Sequence, residues 1–394
     1  MNQSDLARNA CMLHGSRAKR GYLRWWHSFC GYSSETGVTR TFFIEFFLVN
    51  PGLGGSTPLL GQFPHNKKNG IRPSYVMVKA GAFPGSDGSP GVQLHHFYPM
   101  DALQASGNPL IMQVGDCLYS EDRLHGSLEV TPSEAAQRFF LSDAGALEWD
   151  VEVHKAVSCH TGFLAGPLFQ ALHALDSFWH GEGIRSFFKG HVTLDGVAYQ
   201  VDADSSYGYA DKHWGRAFNR PWLQLASCRL TSEHSGQELR HSVLALDGCC
   251  PRLLWFPLRR RLAIQLTYTG EDFTFGLPGT LLSSRLKWEK KETGKRLIWR
   301  IVARNRKAMV KISCSCTREQ MIAVNYENPE GVKSRRPILA GGAGNGTIQL
   351  YRRVPGAWAL MDTLHMENTL CIYQRENALG KHGSGQVSVP GIGK

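Results

Sequence analysis

Residues 21–48 read GYLRWWHSFCGYSSETGVTRTFFIEFFL. Two runs dense in Trp, Tyr, Phe and Ile flank the turn signal Glu35-Thr36-Gly37. Aromatic and β-branched side chains suit a pleated surface, and the glycine tolerates the positive φ that a tight hairpin needs. The stretch therefore predicts a β-hairpin. The same grammar returns at Asp195-Gly196, Ser235-Gly236 and Glu292-Thr293-Gly294, each between segments of strand character. Helical periodicity is scarce, so the chain is read as mainly β. Antiparallel meanders of this kind close into barrels or stack into sandwiches, because an open edge would pair with other chains.

At about 150 residues per domain, the 394 residues suggest two domains. We expect a flexible N-terminal segment (1–20), an N-terminal β domain (21–203), a C-terminal β domain (204–378) and a Gly-rich disordered tail (379–394). Two short helices are expected, over 132–141 after Thr131-Pro132-Ser133-Glu134 and over 164–179, where Leu164, Leu168, Leu172 and Leu175 recur at helical spacing. Gly341–Gly346 lacks the spacing of a phosphate-binding loop and reads as a flexible loop.

The net charge is +11, and most of the excess lies between Arg252 and Lys311. There Arg259, Arg260 and Arg261 form a run, while Arg296, Arg300, Arg304 and Arg306 alternate with Leu297, Trp299 and Ile301, the pattern of a half-buried strand with a solvated basic face. Nucleic acid is not expected, since no recognition motif accompanies the charge; peripheral association with an anionic membrane surface is the reading kept open. The ten cysteines include no Cys-x-x-Cys pair, as in thiols of a reducing compartment. The first thirty residues lack the apolar stretch of a secretory signal, and no segment reaches the roughly 20 apolar residues of a membrane-spanning helix, so a cytoplasmic protein is expected. His95-His96 and His180-Gly181-Glu182 show no convincing third ligand, and neither a metal nor a cofactor is expected.

Chemistry concentrates in Ser206-Tyr207-Gly208-Tyr209-Ala210-Asp211-Lys212-His213-Trp214-Gly215. As a strand it places Tyr207, Tyr209, Asp211 and His213 on one face and Lys212 and Trp214 on the other. Two phenols, a carboxyl and an imidazole on one face are costly in a plain core, which points to a site or to a hydrogen-bond network. Glu45 shares a face with Phe43, Phe47 and Val49. It reads either as a carboxyl kept protonated by apolar surroundings or as a carboxylate paired with Arg24 or Lys79. Trp25, Trp26, His27 and Trp222 complete the candidate set.

The segment Tyr209–Gly215, with Trp222 after it, resembles the aromatic-acid-Lys-Asn-Trp-Gly motif of the tocopherol cyclase family. Asp211 stands where that family commonly has Glu, and His213 where it has Asn. Gly21–His27 resembles the family's N-terminal Gly-aromatic-Trp segment. The likeness runs from about Gly21 to Tyr373 and includes Asn325-Tyr326-Glu327 and the Gly-rich loop before Leu350-Tyr351-Arg352. It implies two lipocalin-like domains around an apolar cavity, similar to carotenoid hydratases and to fungal cyclases of the Diels–Alder type. It also implies cofactor-independent, acid-catalysed cyclisation or hydration of a small hydrophobic substrate: a prenyl quinol, an isoprenoid or a polyene. In that reading Asp211 or Glu45 supplies the proton and His213 relays it. Tyr209 belongs to the catalytic group with them, and Tyr207, Trp214, Trp25, Trp26, His27 and Trp222 line the substrate. A lipocalin-like carrier of a lipid or quinone and a carbohydrate-binding β module are the alternatives.

Overall fold

The computed structural model describes residues 8–374 apart from 86, 108, 138–141, 161–175, 219–221, 250–251, 254–255, 258–260, 277–284 and 332–336. The expected disordered tail, the Arg259-Arg260 part of the basic run, and the helix signal up to Leu175 lie outside the described residues. The chain is mainly β, as the sequence predicts.

The first sheet comprises β1 (Tyr22–Ser33), β2 (Val38–Val49), β3 (Tyr75–Ala82), β4 (Val92–Tyr98), β5 (Gln104–Ser106), β6 (Ile111–Val114), β7 (Cys117–Ser120), β8 (Arg123–Val130), β9 (Gly145–His160), β10 (Ser177–Leu194), β11 (Val197–Val201) and β12 (Gly208–Gly215). Its order is β4-β3-β2-β1-β11-β10-β9-β8-β7-β6-β5, and β12 pairs with both β1 and β10. Edge strand β4 returns beside β8 and β9, so the sheet curls around its own core. Two short helices accompany it, α1 (Pro64–Lys68) and α2 (Pro132–Ala135). α2 starts where expected, with Thr131 and Glu134 forming a reciprocal capping box. Residues 177–179, by contrast, belong to β10 and not to a helix.

The second sheet comprises β13 (Trp222–Ser227), β14 (Arg229–Ser232), β15 (Val243–Cys249), and, beyond the small β16 (Arg252–Leu253) and β17 (Phe256–Pro257) pair, β18 (Arg261–Tyr268), β19 (Glu271–Phe275), β20 (Arg285–Thr293), β21 (Arg296–Arg304), β22 (Ala308–Thr317), β23 (Ile322–Val324), β24 (Ile338–Val354) and β25 (Ala357–Gln374). Its order is β19-β18-β15-β13-β25-β24-β22-β21-β20. The hairpins at Gly37, Gly196 and Gly294 form at the predicted turns.

Three placements depart from expectation. The first sheet extends past residue 203, because β12 completes it; the chain changes sheets between Gly215 and Trp222. Residues 8–20, expected to be flexible, are docked: Asn9 and Leu13 are buried, and the Asn9 amide donates to Glu121. Gly341–Gly346 is no loop but part of β24. A Cβ on Gly344 would run into Cys371 Sγ and one on Gly346 into the Ser313 carbonyl, so these glycines let neighbouring strands approach.

Period-two alternation then decides which residues meet. On β1 the odd positions Leu23, Trp25 and Phe29 enter the core of the first sheet, together with Phe42, Phe46, Trp149 and Trp214. The even position Trp26 faces a separate apolar seam, shared between Phe43, Phe47 and Tyr209 of the first sheet, Trp222, Val243 and Leu370 of the second, and Tyr326 from the segment after β23. β1 is buried on both faces from Tyr22 to Gly31, which is why bulky apolar residues occupy both parities of its sequence, with Arg24 and His27 buried among them. Hydrogen bonds tie the seam: the Asn50 amide donates to the Pro73 carbonyl at 2.7 Å and the Pro329 carbonyl at 2.8 Å. Arg185 reaches the Cys228 carbonyl at 2.9 Å.

Candidate functional site

The site is built by register. Trp26 lies opposite Glu45 on β2 and opposite Asp211 on β12, while Glu45 lies opposite Lys79 on β3. The two acids singled out from the sequence therefore flank one indole. Arg24, two residues along the same face, binds both. Its Nε donates to Glu45 Oε1 at 3.0 Å and to the Tyr326 hydroxyl at 3.1 Å, and its Nη1 donates to Asp211 Oδ1 at 3.4 Å. Lys79 Nζ is 3.1 Å from Glu45 Oε2. Of the two readings open for Glu45, the structure has the buried ion pair.

Aromatic faces close over these charges. The Arg24 guanidinium lies 4.5 Å from the Trp26 ring centre and 5.3 Å from that of Trp222, and Lys79 Nζ is 4.5 Å from that of Tyr326. Cations so placed keep part of the stabilisation that water would otherwise supply.

Asp211 is held as an anion. Its Oδ2 accepts from Trp179 Nε1 at 3.0 Å, from the Tyr209 hydroxyl at 2.9 Å and from the Gln224 amide. Burial pushes its carboxyl up, but His213, Arg24 and Tyr209 outweigh it and hold the group at about 2. Asp211 is thus a poor source of a proton near neutral pH, contrary to the role that the motif implies for it. Burial raises the hydroxyls of Tyr209 and Tyr326 well above the ordinary phenol value, so both remain protonated.

A third acid, which sequence reasoning missed, lies on the other side of His213. Asp247 on β15 pairs in register with Gln224. Its Oδ1 accepts from Trp222 Nε1 at 2.9 Å and lies 3.9 Å from His213 Nε2, which is itself 3.4 Å from Asp211 Oδ2. Burial raises the Asp247 carboxyl to about 6, and the Asp211 charge adds to the effect, against His213 and the Trp222 N–H. One imidazole thus separates two carboxyls whose affinities for a proton differ greatly. The signal was present in Val243-Leu244-Ala245-Leu246-Asp247, an acid within an apolar strand, as Glu45 is.

Phe218, half-buried on the connector between the sheets, fills an aromatic box beside this group. Its ring centre lies 4.0 Å from Tyr22, 5.0 Å from Tyr326 and 6.4 Å from Trp222, and the Trp222 ring is 4.8 Å from that of His213. Trp26 Nε1 and Gln224 Oε1 are among the buried polar atoms here that have no hydrogen-bond partner among the described residues.

No family model matches the chain, and no curated protein matches it. Solved structures do. CghA is 11% identical over 95% of this chain and 94% of its own, with a TM-score of 0.48. Kievitone hydratase from Nectria haematococca is 10% identical over 89% of each chain, with a TM-score of 0.42.

The remaining candidates lie elsewhere. Trp25, His27 and Trp214 point to the opposite face of their strands, inside the first sheet, where alternation sends them. Trp25 Nε1 donates to the Asn9 carbonyl at 3.1 Å, and Lys212, held by burial at about 8, lies between the Trp25 and Trp214 rings. Burial drives His27 well below the ordinary imidazole value. Tyr207 is also displaced: its φ of 44° breaks the extended run before Gly208, so period-two counting does not reach it. It lines a cavity of about 350 Å³ with Cys30, Thr41, Phe83, Arg229 and Gly342. Cys30 shares the seam face of β1 with Arg24 but lies roughly 20 Å further along at 3.3 Å per residue. Among the described residues, no cluster of three or more His, Cys, Asp or Glu is arranged to hold a metal.

Proposed function

We propose that the protein is a cofactor-independent acid catalyst of the tocopherol cyclase type, cyclising or hydrating a small isoprenoid, prenyl quinol or polyene at the seam between its sheets. The observation that carries this reading is the pair Asp211 and Asp247 about His213, one carboxyl at about 2 and the other at about 6. Two carboxyls pushed apart by their surroundings divide the roles of proton donor and fixed anion.

In this mechanism the substrate's apolar chain takes the place of the Phe218 ring in the aromatic box. Asp247 gives its proton to an alkene carbon: the O–H bond breaks, a C–H bond forms, and a tertiary cation is left. Asp211 and the ring faces that Phe218 leaves, those of Tyr22, Tyr326 and Trp222, stabilise that cation. A phenol oxygen of the substrate, or water, then captures it, and the released proton returns to Asp247 through His213. Trp26 Nε1 and Gln224 Oε1 are available to the substrate's polar end. The sequence resemblance around Tyr209–Gly215 supports the same substrate class.

The test is a single-turnover reaction in D2O with a prenylated hydroquinone or an isoprenoid alkene. Product carrying one solvent deuterium on a formerly unsaturated carbon is expected, and it should vanish in Asp247→Asn. Ligand that binds and is recovered unchanged, without deuterium, would refute catalysis and favour a carrier.

A further inference from the structure

The outward face of β20, β21 and β22 carries Arg285, Lys287, Lys291, Arg300, Arg304 and Lys311. Glu289 is the carboxylate facing out with them on these strands, 3.7 Å from Arg300. Register compresses the charge: Arg285 lies opposite Arg304, and Val302 stands between Lys287 and Lys311. Like charges directly opposite one another destabilise a sheet, so such a face is maintained at a cost.

The tip of the β24–β25 hairpin adjoins this patch. Tyr351 pairs with Met309, which pairs with Arg304. At the tip Val354 is 36% exposed and Leu360 51%, and the Arg353 guanidinium lies 5.0 Å from the Trp358 ring centre. Val302, within the basic rows, is a third exposed large apolar side chain of the same region.

We propose that this basic face and the adjoining hairpin tip dock the protein on an anionic membrane surface. The cations answer lipid phosphate, while Leu360, Val354 and Trp358 answer the boundary between headgroups and acyl chains, where amphipathic aromatics and aliphatic tips settle. A nucleic acid would use the cations but leave the exposed leucine and valine without a partner. None of these residues belongs to the seam, so the docking surface and the proposed catalysis stand or fall separately.

Flotation of the full chain with vesicles of phosphatidylcholine alone, and of phosphatidylcholine with one-quarter phosphatidylglycerol, tests this. The protein should float with the anionic vesicles only, and less at high salt. Each cation near such a surface is worth roughly fivefold in affinity, so the combined Lys287→Gln, Arg304→Gln and Lys311→Gln variant should bind roughly 100-fold more weakly. Leu360→Ser should also weaken binding. Equal flotation with neutral vesicles, unchanged binding by both variants, or tighter binding of the wild type to duplex DNA than to anionic vesicles would overturn the proposal.

Discussion

Asp247 and Asp211 make opposite predictions about pH. The folded state raises the Asp247 carboxyl from its ordinary value of 3.8 to about 6, so between those values the folded chain holds a proton that the unfolded chain has lost. Its effect on stability is therefore absent in acid and unfavourable above about pH 6, where it reaches about 3 kcal/mol. Asp247→Asn should raise the melting temperature at pH 8 and leave it unchanged near pH 3.5; equal melts at pH 8 would contradict the assignment. In turnover, kcat/KM should fall tenfold per pH unit above about 6, as its acid form disappears. Asp211 is depressed instead, so its contribution is present above about 4 and lost as pH falls toward 2. Asp211→Asn removes one anion of a buried network and turns an amide toward the Trp179, Tyr209 and Gln224 donors. It should cost about 3–5 kcal/mol, read by denaturant unfolding. The hydrogen bonds that Asp211 accepts make it structural. Phe218→Ala, which empties the aromatic box, should lower KM for an apolar substrate, and Phe218→Trp should raise it.

Among the elements, β24 shows what residue type alone conceals. Six residues of Gly, Ala and Asn read as a loop by composition, yet they pair as a strand because β22 and β25 approach too closely for side chains. Gly346→Ala should destabilise by about 1–3 kcal/mol through overpacking, with the loss seen in chemical denaturation. The hairpins fare differently. Glu35-Thr36-Gly37 and its equivalents were legible because turn geometry is set by a few adjacent φ values, which the local sequence controls.

For the whole molecule, the apolar seam is a third core between two sheets. A seam so apolar, tied by Asn50, Arg185 and Arg24, should couple the sheets into one cooperative unit. Calorimetry should show one transition; two well-separated transitions would contradict this. No helix among the described residues is long and apolar enough to cross a membrane.

The sequence by itself determined the β class, the main turns, the Tyr209–Asp211–His213 face and the strand from which Glu45 projects. Each follows from period two and turn chemistry, which act over a few residues. Only the tertiary structure decided that β12 closes the first sheet, that Glu45 and Asp211 share Arg24, and that Asp247 joins them. Those facts depend on register between strands up to about 200 residues apart, such as Trp26 opposite Asp211, and local propensity carries no information about such register. The proton affinities followed in turn, because they are set by which charges and hydrogen bonds converge after the chain has folded.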